Sequence, residues 1–317
     1  MSQGCVVGVD IGGTKIAAGI VDSQGQVLTH QRFPMVAHSG PDAGLAAVES
    51  AIQAALAKKS PGCHPRGIGI CSPGPLDPNS GVIINPPNLS CWRDFPLADK
   101  VSKKHDLPVK VENDANAAAL AEARWGAGRG YHNVFYTCIG TGIGTGIVFD
   151  GVIYHGRTGT AGEGGHMGID PAGPRCGCGK RGCIEALASG PAIARRAQQK
   201  VQAGAVSKLT SMAGGDPATI TSYMVGQAAA AGDAIAQDVV KETLDLLGYW
   251  LSNIIDLLEP DVIVLGGGVA TMLVPYIDDL PRRWSGACVN PWPDRIPVVV
   301  ARYGEEAGIA GAAALLA

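Results

Sequence analysis

Short apolar runs alternate with amphipathic stretches along most of this chain, a pattern typical of an α/β protein. Runs rich in valine and isoleucine, bounded by glycine, proline or polar turns, predict buried strands. The predicted strands cover residues 5–9, 16–21, 27–30, 67–71, 108–112, 134–139, 147–150, 152–154 and 261–265.

Apolar residues that recur every three or four positions predict helices with one buried face. This spacing is clearest at Leu45, Val48, Ile52 and Leu56. The predicted helices cover residues 45–56, 115–125, 244–258, 269–280 and 306–316. Residues 203–219 are polar, small and glycine-rich, which favours a surface connection.

The opening pattern recurs in the middle of the chain. Residues 6–30 read as strand, glycine–threonine turn, strand, turn and strand, and residues 134–154 repeat this order. An internal duplication of a hairpin unit is the simplest account. Two such glycine-rich turns facing each other could hold a polyphosphate.

Composition narrows the functional class. The 317 residues carry a formal net charge of −3, so no basic field suggests binding to nucleic acid or to an anionic membrane. The N-terminus lacks the pattern of a signal peptide, and no apolar run is long enough to span a bilayer. Nine scattered cysteines do not resemble a disulfide framework, so a cytoplasmic protein is expected.

One short segment concentrates soft metal ligands. His166, Cys176, Cys178 and Cys183 are spaced H-x9-C-x-C-x4-C, a set that suits a closed tetrahedral zinc site. Chance burial of cysteines at this density is not expected. A zinc that only staples the loop, and a zinc loop that also positions a ligand-binding site, both remain open, because carboxylates flank the cluster.

The two glycine-rich turns are candidate phosphate sites. In the first, Asp10 ends a strand and could hold Mg²⁺ through water, while glycine N–H groups and a threonine hydroxyl could cradle phosphate. An ordinary hairpin turn is the alternative. The second turn, residues 140–146, alternates glycine with other residues, and its alternative is a flexible loop. Neither turn has the P-loop spacing.

Two further motifs follow predicted strands. Gly266, Gly267 and Gly268 lie where a nucleotide's base or ribose could rest on the backbone, although tight helix–strand packing would also require glycine. Asn113 and Asp114 stand where a strand ends and a helix begins. They are either N-caps or, for Asp114, a general base that takes a proton from a substrate hydroxyl.

Taken together, these motifs resemble the ROK family of bacterial sugar kinases, most closely its glucokinases, in the same order and over nearly the whole chain. The zinc segment and residues 87–92 carry the most specific part of the likeness. The resemblance implies an α/β protein with the actin-like ATPase (hexokinase–Hsp70) fold, with two domains around a cleft. The expected domains are residues 1–117 plus 304–317, and residues 118–303.

The resemblance also implies a role for each motif. Asp114 is the catalytic base, and a structural Zn²⁺ is held by His166, Cys176, Cys178 and Cys183. The residues expected to bind sugar are Gly74, Asn88, Asn113, Asp114, Glu163, His166 and Glu185. The residues expected to bind ATP and Mg²⁺ are Asp10, Gly12, Gly13, Thr14, Lys15, Gly140, Thr141, Gly142, Gly144, Gly266, Gly267 and Gly268.

The implied reaction is ATP-dependent phosphorylation of glucose at its 6-hydroxyl, with a homodimer or homotetramer as the expected assembly. An N-acetylhexosamine kinase, acting on N-acetylmannosamine or N-acetylglucosamine, is the alternative, because the residues that shape the second-position pocket cannot be placed from sequence. A sugar-sensing regulator is less favoured. The chain begins almost directly at the first phosphate turn, where a regulator would carry a DNA-binding element.

Overall fold

The computed structural model describes residues 4–317 as two compact units. Unit 1 contains the residues up to His132 together with Gly146–Gly162 and Arg302–Ala317, and unit 2 contains Asn133–Thr145 and Glu163–Ala301. These bounds differ from the expected break after residue 117. That break would cut a helix, Asp114–Trp125, which packs along its length inside unit 1.

Twelve strands are numbered along the described chain. They are β1 (Gly4–Ile11), β2 (Lys15–Val21), β3 (Gln31–Pro34), β4 (His64–Ser72), β5 (Leu76–Asp77), β6 (Val82–Ile83), β7 (Val109–Asn113), β8 (Asn133–Ile139), β9 (Ile143–Phe149), β10 (Val152–Ile153), β11 (Val262–Gly266) and β12 (Val298–Val300). They form five-stranded sheets of order β3-β2-β1-β4-β7 and β10-β9-β8-β11-β12, and a small β5-β6 pair.

The two large sheets repeat one topology. In the first sheet β1 pairs antiparallel with β2 and parallel with β4, and β4 pairs parallel with β7. In the second sheet β8 and β12 each pair parallel with β11, and β9 pairs antiparallel with β10. Each sheet therefore contains the hairpin whose duplication the sequence predicted, and each adds parallel strands that the duplication did not cover.

Eleven α-helices, interspersed with short 3₁₀ turns, complete the described fold. They are α1 (Pro41–Ala57), α2 (Leu97–His105), α3 (Asp114–Trp125), α4 (Ile184–Ala188), α5 (Gly190–Gln202), α6 (Lys208–Met212), α7 (Ser222–Ala230), α8 (Ala234–Leu258), α9 (Gly267–Leu273), α10 (Leu280–Trp284) and α11 (Ala307–Ala314). Between residues 4 and 317 no helix is both long and apolar enough to cross a membrane.

Helix α11 lies directly against the backbone of the first sheet. A Cβ atom built on Gly8 of β1 would lie 2.1 Å from the carbonyl oxygen of Ile309, and one built on Gly69 of β4 would lie 1.8 Å from that of Ala312. A Cβ atom built on Gly311 would lie 2.6 Å from the carbonyl carbon of Ala117 in α3. Such short approaches require glycine, so these positions hold the sheet, α3 and α11 at a fixed distance.

Three sequence predictions on secondary structure were wrong in part. Residues 27–30 form no strand beyond a single bridge at Val27, and the edge strand is β3 instead. Residues 203–219 contain the short helix α6, whose first turn is capped by the Ser207 hydroxyl. The helix predicted over 269–280 ends at Leu273 and continues as a 3₁₀ segment, because Pro275 cannot donate a helical hydrogen bond.

The sequence did not indicate a disulfide framework, and it gave no sign of the one bond that the structure contains. Cys5 in β1 and Cys63, next to the start of β4, form a disulfide. The two strands are parallel neighbours, and Gly4 pairs with His64 in their register, which brings the two sulfur atoms together. Free thiols are found at Cys71, Cys91, Cys176, Cys178, Cys183 and Cys288.

Candidate active-site residues

In unit 1, Asp10 and the first glycine turn follow one another at the end of β1. The turn is closed by the N–H of Gly12, which donates to the carbonyl oxygen of Lys15 at 2.8 Å, and the side chains of Thr14 and Lys15 are exposed. A Cβ atom on Gly13 would lie 3.0 Å from the carbonyl oxygen of Asn88. The predicted sugar loop therefore runs beside the predicted phosphate turn.

Asp10 is held in a largely enclosed position. The thiol of Cys71 donates to its Oδ1 atom at 3.5 Å, and the Cβ position of Gly308 lies only 2.4 Å from its carboxyl carbon. Burial raises the pKa of Asp10, against the lowering effects of Cys71, Lys15 and His30. Sequence reasoning found Asp10 but missed Cys71, which faces it from the neighbouring strand β4.

The junction of β7 and α3 carries Asn113 and Asp114. Asn113 is the N-cap of α3: its Oδ1 atom accepts from the N–H groups of Ala115 at 3.0 Å and Asn116 at 3.2 Å. Its amide nitrogen lies on the side of Gly74, 3.8 Å from the Cβ position of that glycine. With the oxygen committed to the cap, the amide N–H₂ is the group that could donate to a ligand.

Asp114 is the first residue of α3 and is exposed. Its Oδ1 atom accepts from the N–H of Ala115 at 2.8 Å. A negatively charged side chain at this place interacts favourably with the positive end of the helix dipole. The cap and the candidate base are thus neighbouring residues with separate tasks, so the two interpretations of this motif are compatible.

In unit 2, the four predicted zinc ligands converge. The ligand atoms of His166, Cys176, Cys178 and Cys183 all lie within 4.8 Å of one another. Cys178 Sγ is 3.6 Å from Cys183 Sγ, and Cys176 Sγ is 3.5 Å from His166 Nδ1. Tetrahedral Zn–S bonds place sulfur atoms about 3.8 Å apart, so the spacing and the donor set fit zinc.

The thiols of this cluster have unlike environments. Burial raises the pKa of Cys183 to about 12, whereas the backbone N–H of Lys180 helps to lower the pKa of the exposed Cys178. The cluster is anchored from the core by Trp250 of α8, whose indole N–H donates to the carbonyl oxygen of Gly164 at 3.2 Å.

Glu185 connects the zinc cluster to the second glycine turn. Its Oε2 atom accepts from the N–H of Ile143 at 2.9 Å and lies 2.6 Å from the Cβ position of Gly142. Its Oε1 atom faces Cys176 Sγ at 3.7 Å and His166 Nδ1 at 3.9 Å. The sequence predicted a sugar contact for Glu185 and gave no sign of this link.

Glu163 and the 3₁₀ turn after it lie against strand β9. The N–H of Gly164 donates to Thr145 Oγ1 at 2.8 Å, and a Cβ atom on Gly165 would lie 1.8 Å from the carbonyl oxygen of Ile143. The Glu163 side chain is exposed. The glycines of this turn therefore allow close packing against β9. Glu163 immediately precedes them in the chain, and His166 immediately follows them.

The third glycine motif divides into packing and open positions. Gly266 would meet the Tyr136 hydroxyl at 2.7 Å, and Gly267, at a φ of +87°, would meet the carbonyl oxygen of Ile139 at 2.4 Å. Among residues 4–317, no heavy atom lies within 4 Å of a Cβ built on Gly268 or on Gly140, their own neighbours aside. Gly268 and Gly140 therefore have space beside them, and Thr141 next to Gly140 is exposed.

Comparison with known proteins identifies the family. Residues 6–317 match the sequence model of the ROK family. The chain belongs to the ROK family. The glucokinase of Streptomyces coelicolor is 36% identical over 316 residues, which are 99% of this chain and 98% of that protein. An N-acetylmannosamine kinase of Escherichia fergusonii is 33% identical over 97% of this chain and 96% of its own.

The likeness extends to solved structures. A ROK family glucokinase from Streptomyces griseus, in complex with glucose and AMPPNP, has a TM-score of 0.80 to this ROK protein at 37% identity, with 98% of each chain covered. The predicted actin-like ATPase fold is thereby confirmed. The roles of the individual site residues stay predictions.

The environment of Asp10 leads to a test by pH. Because burial raises its pKa, the folded ROK protein keeps this proton to a higher pH than the unfolded chain does, so stability falls as the pH rises through the folded-state pKa. In metal-free buffer we expect Asp10→Asn to raise Tm by roughly 2 °C at pH 7.5 and by less at pH 4. Exposed Asp278→Asn is the control, and an unchanged or lower Tm for Asp10→Asn at pH 7.5 would contradict the argument.

Proposed function

We propose that this ROK protein transfers the γ-phosphoryl group of ATP to the 6-hydroxyl of glucose. The observation that carries the proposal is likeness to glucokinases along the entire chain, including the one whose structure holds glucose and AMPPNP. In unit 1 it is supported by the exposed carboxylate of Asp114 at the positive end of α3. In unit 2 it is supported by Glu163, His166 and Glu185, of which His166 is a member of the metal-ligand cluster.

In this proposal Asp114 accepts the proton of the attacking hydroxyl. Phosphoryl transfer depends mainly on positioning and on neutralising charge, with little covalent help from the protein. Asn113 would donate its amide N–H₂ to a sugar hydroxyl while its oxygen caps α3. In unit 2, Glu163, His166 and Glu185 would supply further acceptors and a donor, and Asn88 and Gly74 would line the sugar site of unit 1.

ATP would bind through backbone groups. Gly13, Thr14 and Thr141 offer backbone N–H groups, and the two threonines add hydroxyls, whereas the N–H groups of Gly12 and Gly140 close their own turns. Gly268 leaves open space for the nucleoside. The Asp10 carboxylate, with Lys15 nearby, suits Mg²⁺ held through water, and that ion would neutralise phosphate charge when bound. We also propose a homodimer or homotetramer, on the family resemblance.

The substrate is tested by parallel kinetics on a panel of hexoses. A site built to pair with hydroxyl groups disfavours a sugar that lacks or inverts one, because a buried partner is left unpaired. We expect glucose to show the highest kcat/KM, with mannose and galactose lower by about tenfold or more. If N-acetylmannosamine or N-acetylglucosamine exceeds glucose, the N-acetylhexosamine kinase suggested by the Escherichia relative is the correct assignment.

The catalytic base is tested by Asp114→Asn. The amide keeps the shape of the side chain but cannot take a proton, so we expect kcat to fall by at least about a hundredfold while glucose affinity is retained. Asp42→Asn is a matched control, since Asp42 also stands in the first turn of a helix, α1. Near-normal turnover of Asp114→Asn would remove Asp114 from this role.

The zinc proposal is tested by metal analysis. We expect stoichiometric zinc in the purified protein, loss of that zinc in Cys178→Ser, and a lower Tm, because metal binding stabilises the local fold. Cys288→Ser removes a free thiol elsewhere in unit 2 and should keep its zinc. Fully active wild-type protein without zinc would refute the proposal.

A further inference from the structure

A pair between a buried carboxylate and a partly exposed histidine adjoins the proposed base. Glu112, the residue before the Asn113–Asp114 turn, is 3% exposed, and its Oε2 atom lies 2.6 Å from Nε2 of His155, which follows strand β10. Both residues belong to unit 1. No sequence motif pointed to His155.

The other oxygen of Glu112 is bound to the residues on either side of Asp114. Its Oε1 atom accepts from the backbone N–H of Asn113 at 2.9 Å and from the side-chain amide of Asn116, in the first turn of α3, at 3.2 Å. A buried carboxylate needs its partners, because losing one leaves charge without compensation. Its three donors, His155, Asn113 and Asn116, thus fix where this carboxylate stands.

We propose that His155 is a positioning residue for phosphoryl transfer, which acts through Glu112 to fix the turn that carries Asn113 and Asp114. The inference rests on the proposed function. Without the imidazole, Glu112 turns toward water and releases the N–H of Asn113. The base then leaves its productive position, and catalysis is sensitive to such shifts, since about 1 Å can reduce the rate a hundredfold.

The structure offers both a way to remove the imidazole and a way to replace it. His155 and Glu112 line a cavity of about 440 Å³ in unit 1, and the His155 side chain is 32% exposed, so free imidazole has access to the place vacated in His155→Ala. His132 and Asp150 form a second pair in unit 1, with 2.7 Å between Nδ1 and Oδ1, but both side chains are exposed. His132→Ala is therefore the matched control.

The test measures kcat, the KM for ATP, and Tm. We expect His155→Ala to lower kcat roughly tenfold, with the KM for ATP within about twofold of wild type, since the loss concerns the base and not nucleotide binding. His155→Gln keeps an N–H donor and should retain kcat within about threefold. Added imidazole should raise the kcat of His155→Ala and leave His132→Ala unchanged.

Equal kcat values for His155→Ala and His132→Ala would overturn the inference. So would a fall in kcat that neither His155→Gln nor imidazole restores, because that result indicates general damage to the core. If His155→Ala does not fold, His155→Phe fills the site without a donor and takes its place. If the wild-type protein phosphorylates no hexose, the proposed function itself fails, and this inference falls with it.

Discussion

The contact between α11 and the first sheet is the constraint on which unit 1 depends. Two glycines, Gly8 and Gly69, let the carbonyl oxygens of the helix approach β1 and β4 more closely than any side chain permits. Since β1, β4 and β7 are parallel neighbours, this contact also sets where their carboxyl ends lie. Asp10, Gly74 and Asn113 all stand at or just beyond those ends.

In unit 2, side-chain contacts and thiols fix the position of the candidate site residues. The cysteine loop has little regular structure, so its shape comes from short-range contacts: the cluster itself, the indole of Trp250, and the carboxylate of Glu185. Glu185 reaches both the cluster and the second glycine turn. A change at the thiols that moves Glu185 would therefore also move the backbone at residues 142 and 143, within the proposed phosphate turn.

Much of this arrangement was predictable from sequence because the signals are local. Strand and helix periodicity and the Asn113 cap each depend on a few neighbouring residues, and the four soft ligands all lie between residues 166 and 183. Pairings between distant segments gave no such signal. Cys5 with Cys63, His155 with Glu112 and Cys71 with Asp10 are brought together by strand pairing and chain return, which periodicity does not report.

Glycine was the residue type most open to misreading. In the motif at 266–268 the first two glycines are required by neighbouring atoms, and only Gly268 has open space beside it. A sequence pattern cannot distinguish a glycine required by close packing from a glycine that leaves room for a ligand, because the residue is the same in both cases. The helix predicted over 269–280 is shorter than expected because of Pro275, and a prediction from apolar spacing alone did not take this proline into account.

The return of the chain to unit 1 has a consequence for synthesis on the ribosome. Helix α11, at residues 307–314, packs on β1 and β4, two strands that are translated well before it. Those strands leave the exit tunnel long before their covering helix exists, and their glycine-lined face stays uncovered in the interval. The inserted segment Glu163–Ala301 is complete earlier. We therefore expect unit 2 to fold before unit 1 during synthesis. Chaperones that bind the nascent chain should bind mainly the first sheet until α11 covers it.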